Sequence, residues 1–264
     1  MDLGLRQKRA LVTGSTLGIG YAIAESLARE GAHVTINGRG QANVDQALHR
    51  IRSAVPGASV SGVAADAGTA AGAATVIASV PEIDILVNNL GIYDVKNFFE
   101  IEDAEWQRFF EVNVLCGVRF ARAYAQAMRA RGWGRILFVS SESGLNTPRE
   151  MVHYGTTKTA QFAVSRGLAV ELAGTGVTVN TILPGPTRTE GVEDFIGANA
   201  AASGTSVAEV EAGFFKTMRP SSLLQRFIEP AEVANLAVYL CGQGASATTG
   251  AALRVEGGVV NSAV

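Results

Sequence analysis

A glycine-rich turn between a strand pattern and a helix pattern, close to the start of the chain, constrains the fold more than any other feature. Residues 9–13 form a short run rich in strand formers, residues 14–20 read GSTLGIG, and residues 21–30 carry apolar side chains at helical spacing. Such glycines let the backbone approach a pyrophosphate, and the N-terminus of the next helix offers amide donors. The order therefore predicts the opening of a dinucleotide-binding fold. A turn of purely structural importance is the alternative.

Strand and helix patterns alternate along the rest of the chain. Near-continuous apolar runs, of the kind buried on both faces of a sheet, separate segments of helical periodicity. Strands are predicted at residues 9–13, 33–37, 59–64, 83–87, 134–140, 177–182 and 252–255, and helices at residues 18–30, 42–55, 70–80, 105–131, 154–173, 207–217 and 230–241. This order predicts an α/β fold of the Rossmann type: a single domain over residues 1–264, with helices on both faces of a doubly wound parallel sheet of about seven strands.

Residues 187–222 are less regular than the segments around them. Glycines stand at positions 191, 197, 204 and 213, and no single periodicity runs through the stretch. We expect this segment to form a mobile lid over a ligand crevice, because loops that close over a site have this character. A plain surface excursion is the alternative.

Composition narrows the class of protein. The 264 residues are 47% apolar and 17% charged, with a formal net charge of −2. That balance argues against a nucleic-acid partner, which requires a basic surface. The chain has no apolar run near the ~18 residues that a membrane span needs, and residues 1–6 do not resemble a signal peptide. We therefore expect a cytoplasmic protein that interacts with neither nucleic acid nor membrane.

Cysteine and histidine usage predicts no metal site. Cys116 and Cys241 lie in helical patterns far apart in the sequence, and buried free thiols explain them better than a disulfide. His33, His49 and His153 do not show the spacing of metal ligands.

Tyr154, Lys158 and Ser141 together indicate a reaction. Tyr154 and Lys158 are four residues apart and share one face of a helix. Lowering a tyrosine pKa from ~10 to ~7 takes about 4 kcal/mol, which one unit charge at ~4 Å supplies in a medium of dielectric ~20. Tyr154 is therefore a candidate acid/base, and Ser141 a candidate donor to a carbonyl oxygen that gains charge. A pair on the surface of a helix is the alternative for Tyr154 and Lys158.

Over essentially its whole length the chain resembles the short-chain dehydrogenase/reductase family, in the branch with shorter subunits. The matching pieces, in order, are Thr13-Gly14-x3-Gly18-Ile19-Gly20, Asp66, Asn88-Asn89-Leu90-Gly91, Asn113, Ser141, Tyr154-x3-Lys158, Pro184-Gly185 and Gly250-x5-Glu256-Gly257-Gly258.

The resemblance implies a catalytic tetrad. Tyr154 would exchange a proton with the substrate oxygen, and Ser141 would steady that oxygen. Lys158 would lower the pKa of Tyr154 and hold the nicotinamide ribose. Asn113 would hold a water that links Lys158 to a proton relay.

The resemblance also implies a set of residues that bind the cofactor. Asp66 and Ala67 would contact the adenine, Asn89 would support the middle of the sheet, and Pro184 would border the nicotinamide. The full set comprises Gly14, Ser15, Thr16, Gly18, Ile19, Gly20, Arg39, Asp66, Ala67, Asn89, Gly91, Tyr154, Lys158, Pro184, Gly185, Thr187 and Thr189.

Two positions depart from the family pattern. Leu90 replaces the usual small alanine, and we expect it to shift local packing or narrow the pocket wall. Glu256 stands where aspartate is more common.

The end of the second strand predicts the choice of cofactor. Folds of this kind that prefer NAD carry a carboxylate there, for the ribose 2′-hydroxyl. Residues 36–40 read INGRG instead. Arg39 offers a fork suited to a 2′-phosphate, and Gly38 leaves room for it, so NADP(H) is favoured and NAD(H) stays possible. Leu17 stands where a second basic residue is often found in the family, and a solvated loop arginine is the alternative for Arg39.

The predicted function is that of an oxidoreductase acting on CH–OH groups (EC 1.1.1.-), which transfers a hydride between NAD(P) and a small-molecule carbonyl or secondary alcohol. Substrate-facing residues are expected at 93–94, 143–153 and 187–222. The alternative is a non-catalytic regulatory or scaffold protein that senses the cofactor.

The resemblance further implies a homotetramer or homodimer. The helices at residues 105–131 and 154–173 would form a four-helix interface between subunits. The alternative is that both apolar faces of these helices are satisfied within one subunit.

Overall fold

One parallel sheet organises the protein, whose structure is a computed structural model that describes residues 2–263. The strands are β1 Arg9–Val12, β2 His33–Gly38, β3 Val60–Ala64, β4 Ile85–Asn88, β5 Gly134–Val139, β6 Val177–Pro184 and β7 Ala252–Val255. All neighbours pair in parallel in the order β3-β2-β1-β4-β5-β6-β7, with Leu11 opposite Thr35 on one side and Leu86 on the other. The strand order reverses between β1 and β4, which is where sheets of this type bind ligands.

Helices cover both faces of the sheet, as the sequence predicts. They are α1 Gly18–Arg29, α2 Gln41–Ala54, α3 Ala70–Ser79, α4 Asp103–Phe110, α5 Cys116–Arg131, α6 Val152–Glu171, α7 Glu190–Ser203, α8 Val207–Thr217 and α9 Pro230–Cys241. Helices α1, α2 and α9 pack on one face, and α3, α5 and α6 on the other. None of the helices within residues 2–263 has the length and apolar character that crossing a membrane requires.

The alternation of side chains along each strand divides the core into two layers. In β1, Ala10 and Val12 belong to the layer under α1, α2 and α9, whereas Leu11 belongs to the layer under α3, α5 and α6. In β4, Ile85 and Val87 likewise belong to the layer under α1, α2 and α9, and Leu86 belongs to the layer under α3, α5 and α6. Because both faces are buried, the strands read as continuous apolar runs.

Two elements differ from the sequence prediction. The predicted helix at residues 105–131 is interrupted by one π turn, Glu111–Leu115, between α4 and α5. The irregular stretch at 187–222 contains helix α7 as well as the predicted α8. Glycines within α7 lower its helix propensity, and burial of Ile196 against Phe215 and Phe227 supplies the stability that propensity does not.

Both cysteines are free and buried, and burial raises the pKa of each thiol to about 12. Neither thiol is ionised near neutral pH, so they behave as small apolar side chains.

Candidate active site

Ser141, Tyr154 and Lys158 meet at the carboxyl edge of the sheet. Ser141 lies two residues beyond the end of β5, and the other two project from the first turns of α6. Ser141 and Lys158 are 8% and 4% exposed. The Ser140 hydroxyl donates to the Lys158 carbonyl at 2.8 Å, which fixes α6 against the end of β5. Neighbouring elements thus bring together residues that are up to seventeen positions apart in the sequence.

Lys158 lies over the ring of Tyr154. Its ammonium nitrogen is 5.6 Å from the ring centroid and donates to the Val139 carbonyl at 3.0 Å. Burial lowers the pKa of Lys158 to about 8, because the charged form is poorly solvated there. The lysine therefore still carries its charge at neutral pH.

Tyr154 is in an environment that favours the neutral phenol. Burial raises its pKa above the ordinary value, and the nearby Ser141 side chain acts in the opposite direction. The sequence argument assigned the main influence to Lys158, but desolvation outweighs it in this structure. A phenol that stays protonated at neutral pH is suited to giving a proton rather than taking one.

Asn113 lies in the π turn rather than in a regular helix. Its side-chain oxygen accepts from the Ile92 amide at 2.8 Å, and its nitrogen donates to the Ile92 carbonyl and to Thr157. Its own carbonyl accepts from the side chain of Gln161 at 2.5 Å. The π turn therefore ties the loop after β4 to α6, one turn from Lys158.

The glycine turn has a backbone that requires glycine at defined places. Gly14 and Gly18 have φ of +60° and +58°, in the left-handed region. A Cβ on Gly20 would stand 2.4 Å from both the Asn89 side chain and the Gly14 carbonyl. Asn89 in turn donates to the carbonyls of Thr13 and Gly14 at 3.0 and 2.8 Å, which links the end of β4 to the turn.

The N-terminus of α1 binds a carboxylate oxygen. The amide of Gly18 donates to a carboxylate oxygen of Glu190, at 2.9 Å, across 172 residues of sequence. Amides at a helix N-terminus bind phosphate for the same reason that they bind this carboxylate. The residues of the turn therefore fit the pyrophosphate of a dinucleotide.

The end of β2 presents Arg39 to solvent. Arg39 forms no ion pair among the described residues, so its guanidinium is available. A Cβ at Gly38 would meet the Thr16 side chain at 2.5 Å. Thr16 therefore fills the space that we expected Gly38 to leave for a phosphate. Asp66 and Ala67 follow β3 beside this edge, where Asp66 accepts from the Gly68 amide at 3.1 Å.

The end of β6 brings Pro184, Gly185, Thr187 and Thr189 to the same edge of the sheet. The Thr187 hydroxyl donates to the Gly185 carbonyl at 2.8 Å. A Cβ on Gly185 would stand 2.5 Å from the Glu256 carbonyl, so the C-terminal loop packs closely here. The carboxylate of Glu256 accepts from the amides of Val259 and Val260, which shapes that loop.

Leu90 packs against the glycine turn instead of the substrate cavity. Its side chain lies 3.1 Å from the position of a Cβ on Gly14, and its amide donates to the Thr13 hydroxyl. It does not line the cavity beside Tyr154.

A cavity of about 380 Å³ opens beside Ser141 and Tyr154. Most of its wall is apolar, and the segment at 187–222 contributes Phe195, Phe214 and Met218 to it. Its charged lining residues are Glu142, Glu150 and Arg219. Sequence reasoning did not single out Glu142 or Arg219. The available signal for the first is a carboxylate placed directly after Ser141, at the end of a buried strand.

A parallel sheet of this order, with a turn that fits a pyrophosphate and with a tyrosine and a serine lining one cavity beside a buried lysine, defines a nicotinamide-dependent oxidoreductase. The chain belongs to the short-chain dehydrogenase family, whose family model matches residues 8–199. It is an NAD(P)-dependent oxidoreductase acting on the CH–OH group of its substrate.

Relatives align over nearly the full chain. The uncharacterized oxidoreductase YvaG of Bacillus subtilis (strain 168) is 47% identical over 262 residues, covering 99% of each chain. D-beta-hydroxybutyrate dehydrogenase of Rhizobium meliloti (strain 1021) is 33% identical over 95% of this chain and 98% of its own. The solved L-sorbose reductase of Gluconobacter frateurii, complexed with NADPH and L-sorbose, superposes with a TM-score of 0.94 at 33% identity, covering 99% and 100%. Such relatives do not support the alternative of a non-catalytic regulatory protein.

Proposed function

We propose that the protein is an NADPH-dependent reductase of a small ketone, in which Tyr154 gives the proton. The observation that carries this proposal is that Ser141 and Tyr154 line one cavity at the carboxyl edge of the sheet, with the ammonium of Lys158 over the Tyr154 ring. The relatives named for hydroxybutyrate and sorbose support a small molecule with a carbonyl or secondary alcohol as the substrate.

The side chains divide the chemistry among them. Ser141 and Tyr154 hold the carbonyl oxygen, and the proton of Tyr154 passes to that oxygen as charge develops on it. When bound, the nicotinamide supplies the hydride to the carbonyl carbon. The ammonium of Lys158, 5.6 Å from the ring centroid, stabilises the phenolate that remains on Tyr154. The raised pKa of Tyr154 favours the protonated form that reduction requires.

The turn and the strand ends hold the cofactor in this proposal. Oxyanion binding at the Gly18 amide supports a pyrophosphate there, and the exposed, unpaired Arg39 supports a 2′-phosphate at the end of β2. Asn113 acts by fixing the loop after β4 and the adjacent turn of α6. NADP is thus preferred to NAD, and Thr187 and Thr189 lie near the carboxamide of the nicotinamide or near the pyrophosphate.

Further features of the proposal are a single domain with a lid at 187–222, a cytoplasmic location and a homotetramer or homodimer. Support for the assembly comes from an apolar groove between α5 and α6, about 570 Å³ in volume, which Val118, Ala125, Val164 and Leu168 help to line.

Tyr154→Phe tests the proposed reaction. The phenol proton is lost while the ring is retained, so ketone reduction is expected to fall by a factor of at least ~10². Binding of NADPH, followed by fluorescence titration, is expected to change little. A variant that keeps a wild-type rate would exclude Tyr154 as the acid.

A further inference from the structure

Glu142 is a buried carboxylate within the substrate cavity, next to Ser141 in the sequence. It is 3% exposed. One carboxylate oxygen, Oε2, accepts hydrogen bonds from the hydroxyls of Ser141, at 3.0 Å, and of Ser143. The other oxygen, Oε1, accepts from the Arg219 guanidinium at 2.9 Å. A carboxylate in this position contacts both the reacting centre and the lid.

Arg219 balances the negative charge of the Glu142 carboxylate by forming an ion pair with it. It lies just beyond α8, and its side chain is 12% exposed. Because buried charges require a partner, this ion pair explains how an acidic group lies beside the proton donors of the site. The same pairing neutralises the guanidinium. Arg219 is therefore a weak anchor for a carboxylate on a substrate.

The protons around Ser141 can be counted. A serine hydroxyl has one proton to donate. In this structure that proton goes to Glu142, while the Ser141 oxygen accepts from the Ser143 amide at 3.1 Å. A ketone oxygen held by Ser141 needs the same proton, so Ser141 has to give up its bond to Glu142. The buried carboxylate then lacks one donor.

We propose that Glu142, held in place by Arg219, selects ketones that carry a hydroxyl group on the carbon next to the carbonyl. The substrate hydroxyl donates to Glu142 in place of Ser141, and the Ser141 proton turns to the carbonyl oxygen. This inference rests on the proposed ketone reduction and names its substrate class. Glu142 is then a specificity-determining residue and Arg219 a positioning residue.

The spacing of the oxygen atoms fits this exchange. Oxygens on adjacent carbons lie about one hydrogen-bond length apart, about 2.8 Å. The Ser141 hydroxyl and the Glu142 carboxylate oxygen are 3.0 Å apart. One substrate therefore reaches both groups with its carbonyl and its neighbouring hydroxyl. A ketone without that hydroxyl leaves the charged acceptor short of a donor, which enzymes reject strongly.

The test compares 3-hydroxybutan-2-one with butan-2-one, two ketones that differ in this hydroxyl alone, under saturating NADPH. The expected ratio of kcat/KM for the wild type is at least tenfold in favour of the hydroxyketone, which corresponds to about 1.4 kcal/mol. Equal values for the two ketones would overturn the inference and leave the proposed reduction intact. If neither ketone is reduced by protein that binds NADPH, the proposed function fails and this inference with it.

Variants assign the preference to the ion pair. Glu142→Gln is expected to bring the ratio close to one, because a neutral amide accepts a hydrogen bond less strongly than a carboxylate. If Glu142→Gln fails to fold, Glu142→Asp replaces it in the test. This variant keeps the charge but withdraws the carboxylate oxygens, and its ratio of kcat/KM is also expected to be close to one. Arg219→Gln is expected to lose the preference and Arg219→Lys to restore part of it.

The matched control is Glu82→Gln, which removes a glutamate paired with Arg9 at the opposite edge of the sheet. For this variant, the ratio of kcat/KM for the hydroxyketone to kcat/KM for the plain ketone is expected to equal that of the wild type. A hydroxyketone preference that survives in Glu142→Gln would overturn the assignment to Glu142.

Discussion

At the residue scale, we expect Lys158 to set the upper pH limit of the proposed reduction. The proposed mechanism needs Tyr154 protonated and Lys158 charged. Burial lowers the pKa of Lys158 to about 8 and raises that of Tyr154, so the ammonium is lost first as the pH rises. We expect kcat/KM for ketone reduction to be level near neutrality and to fall about tenfold per pH unit above ~8. A pH–rate profile at saturating NADPH measures this.

Lys158→Arg provides the control for that profile. A guanidinium keeps its charge across the accessible range, so the alkaline fall is expected to disappear although the rate is lower throughout. A wild-type profile that stays level to pH 9.5, about 1.5 units above the pKa of Lys158, would show that the lysine charge does not control the rate.

Arg39 is the residue on which we expect the choice of cofactor to depend. Arg39→Ala removes a guanidinium that is exposed and unpaired, so the free energy of unfolding is expected to change little. We expect NADPH to bind at least tenfold more weakly, a loss of about 1.4 kcal/mol, while NADH binding is nearly unchanged. Fluorescence titration with NADPH and with NADH gives the two dissociation constants.

Arg6→Ala removes the same charge from an exposed position that precedes β1, at the far edge of the sheet. It is expected to leave both affinities unchanged. An Arg39→Ala variant that loses affinity for both cofactors equally would mean that Arg39 contacts the adenine rather than a 2′-phosphate.

The sequence predicts some of these residues and misses others for physical reasons. Tyr154 and Lys158 follow from local spacing, because a helix places residues four apart on one face. The pairing of Glu142 with Arg219 joins positions 77 apart, and that of Gly18 with Glu190 joins positions 172 apart. Such pairs depend on how residues 187–222 pack against the rest of the protein, which no local pattern of residues records.

At the element scale, the contact between the glycine turn and β4 leaves no space for a side chain. Gly20→Ala would place its Cβ 2.4 Å from the Asn89 side chain and the Gly14 carbonyl. Forcing that contact costs about 1–3 kcal/mol of folding free energy and displaces the amides of the turn. We expect a lower Tm and at least tenfold weaker NADPH binding, measured by calorimetry and titration.

Gly40→Ala is the matched control at the next glycine-rich turn. Gly40 precedes α2 with φ of −111°, and nothing lies within 4 Å of an added Cβ. Its stability is expected to remain within about 0.5 kcal/mol of wild type. If Gly20→Ala behaves like Gly40→Ala, close packing of the turn against Asn89 is not what the cofactor site requires.

The strands and helices could be predicted from the sequence, but the π turn between α4 and α5 could not. The apolar strands and amphipathic helices were predicted closely, because their periodicity records which side chains are buried. The π turn at Glu111–Leu115 was missed, since its residues do not depart from helical periodicity. It exists because Asn113 reaches Ile92 across the loop after β4. A contact of this kind is tertiary.

At the scale of the whole molecule, the strand order explains why the site is where it is. The reversal between β1 and β4 separates the helices that follow them onto opposite faces and leaves a crevice at their carboxyl ends. The glycine turn follows β1, Asn89 follows β4 and Ser141 follows β5, so three adjacent strands deliver the site to one edge. The sequence predicted that the site lies at the ends of parallel strands, because each motif directly follows a strand pattern, but it did not predict the strand order.

The proposed assembly can be tested at a position where one subunit has space to spare. Gly167 lies in α6, on the same helical face as Val164 and Glu171 of the apolar groove, and nothing lies within 4 Å of an added Cβ. Gly167→Arg therefore causes no clash within one subunit and improves helix propensity by up to ~1 kcal/mol. If α6 packs against a second copy, the arginine disrupts that contact. Sedimentation is expected to show a shift toward monomer.

Gly197→Arg separates an effect on assembly from an effect on the subunit. Gly197 is also a helical glycine with nothing within 4 Å of an added Cβ, but it lies on α7, no residue of which lines the groove between α5 and α6. Both variants add the same charge and bulk to a helix surface, so they are expected to differ only if α6 is an interface. A Gly167→Arg variant that sediments like wild type would mean that the groove between α5 and α6 is a surface of the single subunit.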